Sequence, residues 1–330
     1  MDWSRTAEFP VTHSRSLRIV FLGTPDFAVA SLDKLFQAGC NIVGVITAPD
    51  KEAGRGMQQQ QSAVKKYALE KELPVLQPEK LKDPHFLETL RALDADLQVV
   101  VAFRMLPEVV WNMPPLGTVN LHGSLLPQYR GAAPINWAII NGEKQTGITT
   151  FKLQHEIDMG DILLSETIPI GEETTAGELH DEMKEAGARL LLQTVKGLAE
   201  GKLQEQPQPV MSTLKHAPKI FNETCNIHWN KGVKEINNLI RGLSPYPAAF
   251  TFLDNKKLKI FKAKKIITQH QSDPGKVETD QKSFLQFAAV DGYIQVLEVQ
   301  LEGKKKMNVD DFLRGYRWKE PGNTEGYLDR

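Results

Sequence analysis

Short apolar runs alternate with segments of helical spacing over residues 17–201. The apolar runs predict strands at 17–23, 41–47, 97–103, 118–122, 147–153 and 162–170. Apolar positions three and four residues apart predict helices at 27–38, 63–71, 84–93, 134–141 and 176–201. Strands that alternate with helices indicate an α/β domain with a Rossmann-like, mostly parallel sheet.

The pattern changes after residue 203. Residues 204–218 are polar and rich in proline without a sustained period, which predicts a linker. A helix is predicted next at 227–243, and strand-like runs follow at 249–253, 258–263, 284–288 and 293–300. Several short strands with turn signals favour a small β-barrel. We therefore predict domains at 17–203 and 219–330, with a disordered extension at 1–16 that lacks the apolar core of a signal peptide.

Composition narrows the class of protein. The hydrophobic content of 41% and the charged content of 25% are typical of a globular protein, and no run approaches the ~20 apolar residues of a membrane span. The two cysteines, Cys40 and Cys225, are far apart and lack neighbouring ligand clusters. This argues against a disulfide framework or a zinc site, and a reducing, cytoplasmic location is expected.

Charge is distributed unevenly along the chain. Residues 211–330 contain 20 Lys and Arg against 14 Asp and Glu, whereas the rest contains 20 against 27. Residues 211–330 therefore have a net charge of +6, and residues 1–210 have a net charge of −7. A basic half attached to an acidic half hints at a polyanionic partner.

The residues with the clearest chemical pattern lie between 120 and 161. Asn120 and His122 are two apart at the end of a predicted strand, so they point to one face. Asp158 follows the next strand, and Asp161 is an alternative for the same carboxylate role. Acyl transfer to an amine needs groups that polarise a carbonyl, move a proton and hold the imidazole in place. His155 is interpreted as a surface residue.

These motifs resemble a known family. The pattern Asn-x-His-x-Ser-Leu-Leu-Pro followed by Asp-x-Gly resembles the formyltetrahydrofolate-dependent formyltransferases. Residues 18–27, 53–56 and 303–309 extend the likeness to the branch that acts on methionyl-tRNA, over residues 17 to 320. The resemblance implies a catalytic formyltransferase domain followed by an OB-like tRNA-binding barrel.

The resemblance also implies a reaction and its residues. The formyl group of 10-formyltetrahydrofolate, a co-substrate, would pass to the α-amino group of methionine on initiator tRNA. No metal is expected, and a monomer suffices. The catalytic residues would be Asn120, His122 and Asp158. Folate would be held by Ser124, Leu125, Leu126 and Pro127.

Contacts with tRNA are predicted in two places. In the segment 49–61, Arg55 matches a tRNA-contacting position of the family and Lys51 lies nearby. Relatives carry further basic residues there, whereas this chain has Gln58 to Gln61, so we expect a shallower salt dependence. In the barrel the candidates are Lys257, Lys259, Lys262 and Lys264. Arg104 is a second departure from the family's pattern, and it borders the predicted folate cleft.

Three other functions are less consistent with the sequence. A formyltransferase of the same fold acting on glycinamide ribonucleotide or an amino sugar nucleotide is the nearest, but the basic second domain and residues 303–309 favour tRNA. Intact Asn120, His122 and Asp158 argue against a catalytically inactive RNA-binding protein. Residues 23–27 lack the second and third glycines of a dinucleotide loop, which argues against a nicotinamide enzyme.

Overall fold

The computed structural model describes residues 16–53 and 58–318. These residues divide into two compact units. The first unit runs to Val119 and includes Val195–Leu203, and the second holds Asn120–Thr194 and the residues from Gln204 onward. The domain boundaries inferred from the sequence stay a prediction. Residues 1–15 of the predicted extension lie outside the described residues.

The first unit contains parallel strands flanked by helices. Val20 at its centre pairs with Gln98 on one side and Gly44 on the other, in the strand order β6-β1-β2-β5. The strands are β1 (Arg18–Gly23), β2 (Asn41–Ile46), β3 (Lys51–Ala53), β4 (Gln58–Gln60), β5 (Val75–Leu76) and β6 (Leu97–Val101). The helices are α1 (Asp26–Gln37), α2 (Ala63–Glu70), α3 (Pro84–Ala92) and α4 (Glu108–Trp111). All five residues of β6 are buried, as expected for a parallel strand covered on both faces.

Local sequence signals place the helix starts in this unit. Ser62 accepts a hydrogen bond from the Lys65 amide (3.0 Å) at the start of α2. Asp83 accepts one from the Phe86 amide (3.1 Å) at the start of α3, where Pro84 is the first helical residue. Each cap satisfies an amide that has no partner within the helix.

The first part of the second unit contains the elements around the candidate site. They are β7 (Thr118–His122), β8 (Arg130–Gly131), α5 (Pro134–Ile140), β9 (Gln145–Lys152), β10 (Ile162–Pro169) and α6 (Ala176–Ala199). Both β7 and α6 cross the unit boundary. β9 and β10 form an antiparallel hairpin, and β9 lies between β10 and β7.

The rest of the second unit is an antiparallel half-barrel. Its strands follow the order β12-β13-β16-β15-β14, and β17 pairs with β16. The elements of the half-barrel are α7 (Val233–Leu243), β12 (Ala249–Leu253), β13 (Lys256–Ile267), β14 (Val277–Thr279), β15 (Leu285–Ala289), β16 (Gly292–Leu301), β17 (Met307–Asn308) and α8 (Val309–Gly315). Before them, β11 (His216–Ala217) pairs with β8 in a separate two-stranded sheet. Its core includes Ile240 of α7 and Phe287 of β15, and Phe287 stacks on Trp229 at 4.6 Å between ring centroids.

The predicted fold class is confirmed: a mostly parallel α/β sheet is followed by a small antiparallel β domain. One predicted helix start was wrong, because α7 begins at Val233 and not at residue 227. The amide of Ile227 instead donates to the Phe250 carbonyl (2.8 Å), and Gly232 is the N-cap. A strand contact thus overrides the helical spacing of the apolar residues there.

Candidate active site

The last residues of β7 place an amide and an imidazole on one face of the strand. Asn120 and His122 are separated by Leu121, whose side chain is buried on the other face. His122 is only 6% exposed, and its ring meets Phe151 of β9 edge-on, with 6.5 Å between centroids. Packing therefore restricts the orientation of the imidazole.

A hydrogen bond determines which imidazole nitrogen carries the proton. His122 Nε2 lies 2.9 Å from the backbone carbonyl oxygen of Tyr129. A carbonyl oxygen only accepts, so Nε2 carries the hydrogen and donates it. In the neutral ring, Nδ1 is consequently the nitrogen with the free lone pair, which can take up a proton.

Asp158 faces this free nitrogen. Its Oδ2 lies 3.9 Å from His122 Nδ1, and the two side chains are 13% and 7% exposed. The Gly131 amide donates to the same oxygen (3.0 Å) and anchors the carboxylate. The distance of 3.9 Å between Nδ1 and Oδ2 is too long for a direct hydrogen bond, but it leaves room for one donor group, such as the substrate amine, to contact both atoms. A cation formed on His122 would lie beside a partly buried negative charge.

The loop that carries Asp158 is sterically constrained. Asp158 has a φ of +53°, a left-handed conformation that Asp tolerates better than most residues. Gly160 lies so close to the Lys152 carbonyl that a Cβ atom there would overlap with it. This contact explains the Asp-x-Gly spacing of the motif. The Asp161 carbonyl accepts from the Lys152 amide (3.0 Å), so Asp161 anchors the loop, whereas Asp158 faces the imidazole.

The predicted folate turn at 124–127 is well ordered by hydrogen bonds. Thr149 of β9 donates its hydroxyl to the Ser124 carbonyl (2.7 Å) and accepts from the Leu126 amide (3.2 Å). Both bonds are buried, and Leu125 is the half-buried side chain of the turn. The two bonds fix the backbone of the turn and occupy the Ser124 carbonyl and the Leu126 amide. Folate binding by this turn stays a prediction.

The carbonyl that orients His122 belongs to a tyrosine with its own polar partners. Burial and the hydrogen bond to Glu143 raise the pKa of Tyr129. Burial opposes ionisation of Glu143, but hydrogen bonds from Lys215 and Tyr129 outweigh it and lower the pKa of that carboxyl. Lys215 belongs to the predicted linker, so an ion pair ties the linker to this cluster.

Two polar residues beside Asp158 had not been predicted as part of the site. Arg130 donates from Nε (3.2 Å) and Nη2 (2.6 Å) to the side-chain oxygen of Gln208. Gln208 Nε2 donates to the carbonyls of Asp158 (2.8 Å) and Gly160 (2.9 Å). Arg130 begins a Gly- and Pro-containing stretch, Arg-Gly-Ala-Ala-Pro, that could have drawn attention to it, but Gln208 lies in a polar segment without any such signal.

Comparison with known proteins identifies the family. Residues 17–195 match the family described as "Formyl transferase", and residues 219–317 match "Formyl transferase, C-terminal domain". The chain is 55% identical to "Methionyl-tRNA formyltransferase" of Bacteroides fragilis, over 92% of this chain and 96% of that protein. The chain belongs to the methionyl-tRNA formyltransferase family. It is accordingly assigned to the formyl-transferring, folate-dependent enzymes, which confirms the resemblance seen in the motifs.

Other relatives agree. Proteins of the same name from Parabacteroides distasonis and Flavobacterium johnsoniae are 56% and 50% identical, each over 91% of this chain and 96% of theirs. Among solved structures, the N-formyltransferase from Helicobacter canadensis in complex with folinic acid and dTDP-3-aminofucose has a TM-score of 0.64. At 19% identity, over 88% of this chain and 100% of that one, it supports the fold alone.

The lysines of this chain that are predicted to contact tRNA share one face of the half-barrel. The register of β13 against β16 shifts between Ile260 and Ala263, a bulge that re-phases the strand. Strict alternation would place the lysines before the bulge opposite those after it. The positions between them are buried, and the outer face carries Lys257, Lys259, Lys262 and Lys264.

Two of these lysines are held by neighbouring groups. The ammonium of Lys257 lies 4.0 Å from the centroid of the Phe250 ring. Lys259 donates to the Pro247 carbonyl (3.2 Å). Lys262 and Lys264 are exposed. The two held lysines have less conformational entropy to lose on binding a phosphate.

The remaining predicted positions lie in the first unit. Lys51 is exposed in β3, which pairs with β4 of the Gln run as a short antiparallel hairpin. Arg55 lies outside the described residues. Arg104 donates to the carbonyls of Pro78 and Glu79, so its guanidinium is engaged by backbone.

Within residues 16–53 and 58–318, no cluster of three or more His, Cys, Asp or Glu side chains is arranged to hold a metal ion. No helix there is both long and apolar enough to span a bilayer.

Proposed function

We propose that this protein transfers the formyl group of 10-formyltetrahydrofolate to the α-amino group of methionine esterified to initiator tRNA. Family membership supports the reaction class, and the relatives' names support the acceptor. One geometric observation carries the chemistry: His122 has its Nδ1 free and directed toward Asp158.

The proton transfer follows from this geometry. The attacking amine must be neutral, and it loses a proton as the new C–N bond forms. His122 Nδ1 takes that proton, because Nε2 already donates to the Tyr129 carbonyl. Asp158 stabilises the resulting imidazolium from 3.9 Å without accepting the proton itself.

The remaining steps involve the formyl carbon. Attack by the amine gives a tetrahedral intermediate whose oxygen carries negative charge, and Asn120 donates its amide N–H to that oxygen. The intermediate collapses by breaking the bond to N10 of the folate. N10 takes the proton from His122, so tetrahydrofolate leaves and the neutral imidazole is restored.

The two substrates are assigned to different surfaces of the second unit. The turn 124–127 begins two residues after His122 in the chain, and we assign it to the folate. The outer face of β13, with Lys257, Lys259, Lys262 and Lys264, is assigned to tRNA phosphates because of its positive charge. We propose that the enzyme acts as a monomer in the cytoplasm.

The test is a comparison of acceptors with 10-formyltetrahydrofolate as donor. We expect formylation of charged initiator tRNA, but not of elongator methionyl-tRNA or glycinamide ribonucleotide. Asn120→Ala and His122→Ala should each lower kcat by about 10²-fold or more while the protein stays folded, as circular dichroism would check. Transfer to glycinamide ribonucleotide or an amino sugar nucleotide instead of tRNA would overturn the proposal.

A further inference from the structure

We infer that Gln208, in the segment that joins the two matched family regions, is a positioning residue for Asp158. The inference rests on the proposed function, since it assigns Gln208 to the same reaction. Gln208 acts through the loop 158–160 and not on the substrates.

Both ends of the Gln208 side-chain amide are fully hydrogen-bonded. Its oxygen accepts two hydrogen bonds from Arg130, and its nitrogen donates one each to the Asp158 and Gly160 carbonyls. The donors of Arg130 determine which end of the amide faces the loop. Neither leucine, which has no polar atoms, nor glutamate, which cannot donate, reproduces this pattern.

The loop needs such support from outside. Asp158 adopts a left-handed conformation, and its neighbours Ile157 and Met159 are 61% and 42% exposed, so they contribute little packing. The bonds from Gln208 act on both sides of Met159, at the carbonyls of Asp158 and Gly160. They therefore hold the backbone from which the Asp158 carboxylate reaches Gly131 and faces His122.

The backbone on either side of Gln208 is itself attached to the site. Gln206 and Ile162 exchange two backbone hydrogen bonds (2.7 and 2.9 Å). Farther along, β11 pairs in parallel with β8, which contains Arg130. The segment thus contacts both loops that converge on His122, and Gln208 is its side chain that reaches Asp158. A flexible tether would show neither backbone pairing nor a satisfied amide.

The kinetic test uses Gln208→Leu, with Gln206→Leu as the matched control. The control side chain is exposed two residues away, and its backbone bonds are kept by the substitution. Since a misplacement of about 1 Å can cost about 100-fold, we expect kcat of Gln208→Leu to fall by about 10- to 100-fold, with both KM values within about twofold. Gln206→Leu should keep wild-type kcat.

A double-mutant cycle separates positioning from general loss of structure. If Gln208 acts through Asp158, adding Gln208→Leu to Asp158→Asn should lower kcat by less than about threefold further. A second full loss in that background, or a wild-type kcat in the single variant, would overturn the inference.

Hydrogen exchange supplies a readout that does not depend on activity. The exposed Gly131 amide is bonded to the Asp158 carboxylate, so its exchange should accelerate in Gln208→Leu and not in Gln206→Leu. Unchanged exchange would refute the positioning role even if no acceptor were formylated. Absence of transfer by the wild-type protein would instead refute the proposed function.

Discussion

Replacement of Asp158 by asparagine isolates the contribution of one negative charge. Asparagine keeps an oxygen for the Gly131 amide and tolerates the φ of +53°. Two unit charges 3.9 Å apart interact by about 4 kcal/mol at an effective dielectric constant of about 20. This energy stabilises the imidazolium that forms on His122 but not the neutral ring, so it lowers the barrier. At about 1.4 kcal/mol per tenfold, its loss corresponds to at most about 10³-fold in kcat.

We therefore expect Asp158→Asn to lower kcat by about 10²- to 10³-fold, because the asparagine dipole retains part of the stabilisation. The assay is steady-state formylation of charged initiator tRNA with both substrates saturating. Asp161→Asn is the matched control, since Asp161 contributes its backbone carbonyl to the loop, and it should keep near-wild-type kcat. A kcat within threefold of wild type for Asp158→Asn, or an equal loss in the control, would refute the assigned role.

Three further predictions concern the loop, the cluster behind the imidazole and the basic face. Gly160→Ala should lower kcat by about 10-fold or more without abolishing folding, since the added Cβ displaces the loop; kinetics and thermal unfolding test this. Glu143→Gln should lower the free energy of unfolding by about 1 kcal/mol near pH 7. Because the folded-state pKa of Glu143 is lowered, its stabilisation is present above the unfolded value of about 4.3 and is lost as the pH falls, so urea titrations should show the two proteins converging in acid. Lys262→Gln with Lys264→Gln should reduce the slope of log K against log salt for tRNA by about 1 per lost phosphate contact, and Lys282→Gln, outside that face, should leave it unchanged.

The outer face of β13 shows where local pattern stops being informative. The sequence indicates a half-buried strand in which Lys257 shares a face with Lys259, and Lys262 shares a face with Lys264. Simple alternation places the two pairs on opposite faces, because their positions differ in parity. The bulge that brings them together arises from pairing with β16. Its partner strand begins 25 residues after β13 ends, so no local period encodes it.

The sequence by itself predicted most of the elements and the candidate catalytic residues. β7 was predicted with its observed bounds, because a short apolar run there ends in polar residues and glycine, and the motif spacing singled out Asn120, His122 and Asp158 as candidates. The tertiary structure alone decided how they work together. The free nitrogen of His122, the position of Asp158 opposite it and the support from Gln208 all depend on contacts between separate loops. Such contacts form only when the chain is folded, and residue type and local spacing do not specify them.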